Sequence, residues 1–123
     1  MLSFWPFFAL LAIAIVLGGW MLLDGLRAFI RGDYLTPKSG AYAGQLGPWA
    51  ALLQRMGIAP RSALVKGLHL AVGAAWLVSA AGLWLDATWW RTGMAGAALV
   101  SLWYLPFGTL GALIVWALLF FVH

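Results

Sequence analysis

The residues of this chain that could carry out acid–base or metal chemistry are few and widely spaced. The acidic residues are Asp24, Asp33 and Asp86, and the histidines are His69 and His123. They form no carboxylate pair suited to acid–base catalysis, and no order of Ser, His and Asp indicates a catalytic triad. The chain has no cysteine, which excludes disulfides, thiolate metal sites and thiol catalysis. We therefore expect a protein that is not an enzyme.

His69 is the polar residue whose surroundings most suggest a binding role. Gly67, Ala71 and Gly73 lie near it, so a flat macrocycle could approach the backbone. A neutral imidazole can ligate the magnesium of a chlorophyll-type pigment or a haem iron, whose second ligand would come from His123 or another chain. The simpler interpretation is a histidine that hydrogen-bonds to a neighbouring helix or lies near lipid headgroups. We favour the simpler one and expect no cofactor and no metal.

The composition indicates that much of this chain is surrounded by lipid. Of its 123 residues, 65% are hydrophobic and only 8% are charged, against roughly 25% charged residues in soluble domains. So short a chain cannot bury that much apolar surface in one water-soluble core. The net charge of +4 is dispersed, which argues against a nucleic-acid partner.

The apolar runs predict an all-α integral membrane protein, one domain over 1–123. The first run has twenty uncharged residues, enough to cross roughly 30 Å of hydrocarbon. We expect it to be a retained helix rather than a signal peptide, because no Lys or Arg precedes it. Ser62 is a plausible N-cap for the second span. The predicted spans are about 4–26, 63–85, 88–105 and 107–122.

The last apolar segment has two interpretations. Residues 94–122 carry no charge and would form a helix of ~43 Å, longer than a bilayer needs. Pro106 and Gly108 interrupt it. A hairpin turning there would put Trp89 and Trp90, and then Trp103 and Tyr104, at membrane boundaries where such residues are favoured. We favour the hairpin, which gives four spans; one kinked helix would give three.

Most basic residues flank or lie in the long connection 27–62, which predicts that this loop is cytoplasmic. Within it, Pro48 and Gly57 bracket a short amphipathic helix over 48–56. So short a helix needs a surface to lie on. We expect it at the membrane boundary, lying on the chain's own helices, with docking of a partner subunit as the alternative. The residues available to a partner would be Arg27, Arg31, Tyr34, Trp49, Leu52, Leu53, Arg55 and Met56.

Small residues recur every fourth position in two of the apolar segments. Close backbone approach through such residues is how helices associate in lipid. We expect these two ladders, with the turn at Pro106 and Gly108, to form the packing surfaces between helices. The ladders are Gly67, Ala71, Ala75 and Ser79, followed by Gly93, Ala97 and Ser101.

The carboxy-terminal third, WWRTGMAGAALVSLWYLPFGTLGALIVWALL, resembles a loose class of small bacterial membrane proteins of unassigned function. The features in common are an aromatic-and-arginine start at Trp90 and Arg91, an apolar run, and a Pro-x-Gly-Thr turn at Pro106, Gly108 and Thr109. The resemblance implies a helical hairpin and a bacterial inner membrane, and carries no activity.

Abundant packing surfaces and few reactive groups predict a non-catalytic accessory or assembly subunit of a larger membrane complex, of respiratory or photosynthetic type. One alternative is a pigment- or haem-binding subunit through His69. The other is a small homo-oligomeric transporter or channel. The expected partners are the lipid bilayer and other membrane subunits.

Overall fold

A computed structural model describes residues 4–34, 36, 46–104 and 106–121 of the chain. This part of the protein consists of helices and contains no strand. The all-helical prediction is therefore confirmed. The five helices are α1 (Phe4–Arg31), α2 (Pro48–Arg55), α3 (Ala63–Trp84), α4 (Trp90–Leu99) and α5 (Phe107–Phe121).

Helices α1 and α3 form the main packing interface, and their backbones cross closely at two glycines. A Cβ added at Gly73 would lie 2.8 Å from the carbonyl oxygen of Gly18 and 2.7 Å from the amide nitrogen of Leu22. Further along, a Cβ at Gly25 would lie 3.0 Å from the Cβ of His69. Only glycine permits backbones to come this near, and dispersion contacts across the gap then hold the pair together.

The predicted small-residue ladders contribute unequally to this packing. In the second ladder, a Cβ at Gly93 would lie 2.7 Å from the Ser79 hydroxyl, and Ala97 and Ser101 are buried. In the first ladder, Ala75 is half-buried, Ala71 is exposed, and a Cβ at Gly67 would meet no described atom within 4 Å. The helix α1 packs instead on the face of α3 that carries Gly73, so Gly67 and Ala71 lie outside the contact.

The last apolar segment is a hairpin, as predicted, and the alternative of one kinked helix is wrong. The indole N–H of Trp116 in α5 donates to the Ala95 carbonyl of α4 at 3.2 Å, which sets the two helices side by side and antiparallel. In the turn, Gly108 is pressed against Tyr104, where an added Cβ would be 2.6 Å from the Tyr104 Cβ. The Thr109 hydroxyl donates to the Leu102 carbonyl at 2.7 Å and so satisfies a turn carbonyl.

Two helices are long and apolar enough to cross a bilayer, judged by length and composition. They are α1, with 28 residues, and α3, with 22. The hairpin helices α4 and α5 have 10 and 15 residues, about 15 and 22 Å at 1.5 Å per residue. Each is shorter than the ~30 Å hydrocarbon core. The third predicted span, 88–105, extends beyond α4 at both ends, whereas α5 matches the fourth, 107–122, over the described residues.

The connection between α1 and α3 is fastened to the start of α3. The Arg61 Nε donates to the Asp33 carboxylate at 2.9 Å, and the Tyr34 hydroxyl donates to the Pro60 carbonyl at 2.9 Å. Burial alone would raise the pKa of the Asp33 carboxyl, but its hydrogen bonds to Arg61 and to the Tyr34 amide hold that pKa below its usual range. The predicted N-cap is confirmed, since the Ser62 hydroxyl accepts from the Val65 amide. The predicted loop residues 37–45 lie outside the described residues.

Candidate binding cavity

A cluster of aromatic rings gathers around His69 at the end of the helix pair near α2. Its members, Tyr34, Trp49, Trp103 and Tyr104, have ring centroids 4.7 to 5.4 Å from the imidazole. These separations are those of favourable aromatic pairs. Residues from α2, from the connection after α1 and from the hairpin turn thus meet on one residue of α3.

The imidazole of His69 is fully buried in this cluster. Its Nδ1 lies 3.0 Å from the Val65 carbonyl oxygen one turn earlier, so Nδ1 carries the proton and donates it. The Nε2 then presents a lone pair, and within the described part of the chain it has no hydrogen-bond partner. The hydrogen bond that the structure shows is made within α3 rather than to a neighbouring helix, and the other half of the simpler interpretation, a position near lipid headgroups, stays a prediction.

Four aromatic side chains surround the imidazole in the region where a haem or chlorophyll-type macrocycle would have to approach His69, two of them with centroids 4.7 Å away. The small residues expected to admit the macrocycle are elsewhere, since Ala71 is exposed and Gly73 lies against α1.

A cavity of about 870 Å³ lies next to the aromatic cluster, between α1, the start of α2 and the start of α5. This volume is within the ~300–1,000 Å³ of small-molecule sites. Most lining side chains are apolar. The residues that line it are Ala12, Ile13, Ile15, Val16, Leu17, Gly19, Trp20, Leu23, Asp24, Leu46, Gly47, Pro48, Trp49, Tyr104, Pro106, Phe107 and Gly111.

The polar groups of the cavity are gathered at one end. The Trp20 indole N–H donates to the Tyr104 hydroxyl at 3.0 Å, and Asp24 follows Trp20 by one helical turn on the same face of α1. Asp24 is only 4% exposed. Among the described lining residues, Asp24 is the one that carries a charge. A carboxylate buried within a helix that is apolar enough to cross a membrane is costly and commonly marks a ligand or ion site.

The rest of the cavity runs along α1 away from Asp24. Lining residues of α1 extend from Ala12 to Asp24, a distance of ~18 Å at 1.5 Å per residue. At the far end α5 approaches α1, since a Cβ added at Gly111 would lie 3.2 Å from Leu17, but the lining side chains of Val16 and Phe107 are exposed and leave the cavity open on one side. The cavity is therefore elongated, with a polar end beside α2 and an apolar end deeper along the helix.

The residues predicted to meet a partner divide into two groups. Tyr34, Trp49 and Leu53 are buried against the chain's own helices, so they do not form an accessible surface. The reason is that Trp49 fills the space beside His69, which seats α2 on the chain itself. Arg27 and Leu52 are half-buried; Arg31, Arg55 and Met56 are exposed.

The side chain of Tyr34 is buried, and this changes the acidity of its hydroxyl. Burial, together with the negative charges of Asp24 and Asp33, raises the pKa of Tyr34 well above its ordinary value. The hydroxyl therefore stays protonated and serves as a donor to the Pro60 carbonyl.

Sequence reasoning missed the cavity and the position of Asp24 in it. The predicted span 4–26 puts Asp24 near its end, yet α1 continues for seven residues beyond it to Arg31, and Asp24 is buried in the interior. The available signal was the spacing of Trp20 and Asp24, which sets both on one face of a helix. Tyr104 could not be associated with them, because it arrives from a turn 80 residues later.

Comparison of the chain with protein families, with curated proteins and with solved structures finds no match. The resemblance of the carboxy-terminal third to small bacterial membrane proteins therefore stays a prediction. The fold and the cavity define the chain as a helical protein with two helices suited to a membrane and an apolar cavity between its elements.

Proposed function

We propose that this protein is a non-catalytic membrane protein that binds a lipid-soluble small molecule in the cavity between α1, α2 and α5. The single observation that supports the proposal is a cavity of about 870 Å³ with apolar walls and a few polar groups at one end. That combination is the usual character of a small-molecule site.

The accessory or assembly role predicted from the sequence is the setting that we propose for this binding. Several large apolar side chains of α1 point outward, among them Phe4, Trp5 and Ile30, all more than 65% exposed. Lipid or the helices of a neighbouring subunit would cover them. A subunit of this kind would hold its small molecule at the border of a larger complex.

The buried carboxylate favours a second candidate function, the small transporter considered from the sequence. Ionisable groups inside membrane proteins often belong to substrate or proton pathways, and Asp24 lines the cavity. A transporter would move its ligand across sealed proteoliposomes. A binding subunit would retain it on one side.

A leucine at Gly19 is expected to abolish binding to the cavity. Gly19 lines the cavity, and an added Cβ there meets no described atom within 4 Å, so the larger side chain enters the empty space without displacing α1. In native mass spectrometry from a mild non-ionic detergent, we expect wild type to retain one molecule of a single-chain amphiphile. The Gly19→Leu variant should retain about tenfold less.

Gly96→Leu is the matched control, because Gly96 also faces open space in a helix and does not line the cavity. It should bind the amphiphile as wild type does. Equal retention by wild type, Gly19→Leu and Gly96→Leu would show that the cavity is not the binding site and would end the proposal.

We also propose a bacterial inner membrane with four spans, and with α2 and the long connection on the cytoplasmic side. The support is the distribution of arginines. Arg31, Arg55 and Arg61 lie at the end of the α1–α3 pair where the long connection joins the two helices, whereas Arg91 lies at the opposite end, at the start of α4. Basic residues in short connections favour the cytoplasmic side.

Cysteine labelling tests this orientation cleanly, because the natural chain has no cysteine. Gln54→Cys, exposed on α2, should react with a membrane-impermeant maleimide only after the cells are permeabilised. Thr88→Cys, exposed between α3 and α4, should react in intact spheroplasts. The reverse labelling pattern would invert the topology.

A further inference from the structure

We propose that the cavity holds one acyl chain of a bilayer lipid whose anionic headgroup binds beside Arg27 and Arg31. This inference rests on the proposed function and adds the chemical class of the ligand. It follows from the open side of the cavity, from the two arginines that continue its α1 face, and from a buried nitrogen of Arg27.

The cavity is open on one side, and the side chains along the opening are apolar. Among its lining residues, Val16 is 71% exposed, Phe107 68% and Leu23 64%. Apolar side chains that are exposed along a helix suited to a membrane face hydrocarbon in the proposed setting. One chain of a bilayer lipid can therefore enter sideways between α1 and α5, while its second chain stays in the bilayer.

The face of α1 that lines the cavity continues into two arginines. Arg27 follows Trp20 by seven residues and Arg31 follows Arg27 by four, spacings that keep all three on one side of a helix. Asp24 is the last lining residue of α1, and Arg27 is ~5 Å further along the helix at 1.5 Å per residue. An acyl chain that lies along this face thus brings its headgroup to the arginines.

The charges at this end of α1 favour an anionic headgroup. Residues 24–31 contain two Arg and one Asp, so the segment is positive overall. Asp24 is only 4% exposed, whereas Arg27 is half-buried and Arg31 exposed, so a headgroup meets the arginines. Neither arginine forms an ion pair with a described carboxylate, since Asp33 pairs with Arg61 at 2.9 Å. Guanidinium groups match phosphate oxygens well, because they can donate two parallel hydrogen bonds.

The buried part of Arg27 gives a second, independent indication of a ligand. Its Nε is buried and makes no hydrogen bond within the described part of the chain. Buried polar atoms in folded proteins are nearly always hydrogen-bonded, and an unpaired donor destabilises the fold. A phosphate oxygen of the headgroup would accept from this N–H and satisfy it.

The size and charge of the site favour a lipid over a helix from a second copy of the chain. A helix with its side chains is ~10 Å across, so ~18 Å of it would occupy ~1,400 Å³. The cavity has about 870 Å³. A second copy with the same orientation in the membrane would also place its own arginines at the same depth, where like charges repel.

Two lipids with identical chains test the inference on the purified full-length protein. Dioleoyl phosphatidylglycerol is anionic, and dioleoyl phosphatidylcholine has no net charge. Native mass spectrometry from a mild non-ionic detergent, at increasing lipid concentration, gives the apparent affinity of each. We expect the anionic lipid to bind at least about tenfold more tightly. Arg27→Gln and Arg31→Gln should each lower that preference about fivefold and leave phosphatidylcholine binding within about twofold of wild type.

Arg55→Gln is the matched control. It removes the same charge from an exposed residue at the same end of the protein, but Arg55 does not line the cavity or lie on α1. This variant should keep the lipid preference within about twofold of wild type. Equal losses in Arg27→Gln, Arg31→Gln and Arg55→Gln would show attraction to the overall charge rather than a site on α1, and would overturn the inference.

The outcomes separate the two proposals. Equal binding of both lipids, lost in Gly19→Leu, would overturn the anionic headgroup and leave the proposed function standing. Tighter binding of phosphatidylcholine would do the same. Lipid binding that Gly19→Leu does not change would place the ligand outside the cavity and overturn both proposals. A mass of two chains without retained lipid would show that a second copy covers the opening, and would also overturn both.

Discussion

Replacing Gly73 with alanine is expected to lower the free energy of unfolding by about 2 to 3 kcal/mol, the usual range for overpacking a tight contact. The added Cβ would lie 2.7 Å from the Leu22 amide nitrogen and 2.8 Å from the Gly18 carbonyl oxygen. Both are backbone atoms and cannot rotate away, so α1 and α3 must separate along their interface. Unfolding in a mild detergent, followed by size-exclusion chromatography after heating, would measure the loss.

Gly67→Ala on the same helix is the control for this substitution. An added Cβ there meets no described atom within 4 Å, and alanine favours a helix over glycine by up to about 1 kcal/mol. We therefore expect Gly67→Ala to be as stable as wild type or slightly more so. If both variants unfold alike, the two helices do not cross at Gly73.

Replacing His69 with alanine is expected to cost about 3 kcal/mol of stability, by analogy with other substitutions of large buried side chains. The imidazole is fully buried and contacts four aromatic rings with centroids 4.7 to 5.4 Å away. Its removal leaves a cavity among rings contributed by α2, the hairpin turn and the connection after α1. Thermal unfolding in detergent would report the loss.

His69→Phe is expected to remain within about 1 kcal/mol of wild type. Phenylalanine keeps a flat ring in the cluster and removes the Nε2, which has no partner among the described residues, so no buried acceptor is left unsatisfied. The lost hydrogen bond to Val65 is made within one helix and adds little. Visible absorption that co-purifies with wild type and disappears in His69→Phe would contradict this purely structural role and restore the haem or pigment interpretation.

The local features of the fold were predictable because short stretches of sequence specify them. Pro106 cannot continue a helix and Gly108 tolerates close contact, so the turn between α4 and α5 followed from these residues. The N-cap at Ser62 was predicted in the same way. The ends of helices were less predictable, and α1 extends to Arg31 rather than 26, since its last turn still contributes to the core through the fully buried Ala28.

The choice of helix face and the site itself depended on packing between distant segments. The helical period of α3 offers one face with Gly67 and Ala71 and another with His69 and Gly73. Only the position of α1 shows that the second face forms the helix contact. Trp20, Asp24 and Tyr104 likewise converge only when the hairpin folds back beside α1.

The sequence by itself determined that the chain is helical and apolar enough for a membrane. The length and the hydrophobicity of an apolar stretch can both be read from residues that are neighbours in the chain. Only the tertiary structure decided that Asp24 is buried and lies beside an elongated cavity. That arrangement requires three segments to meet, and no local pattern encodes their meeting.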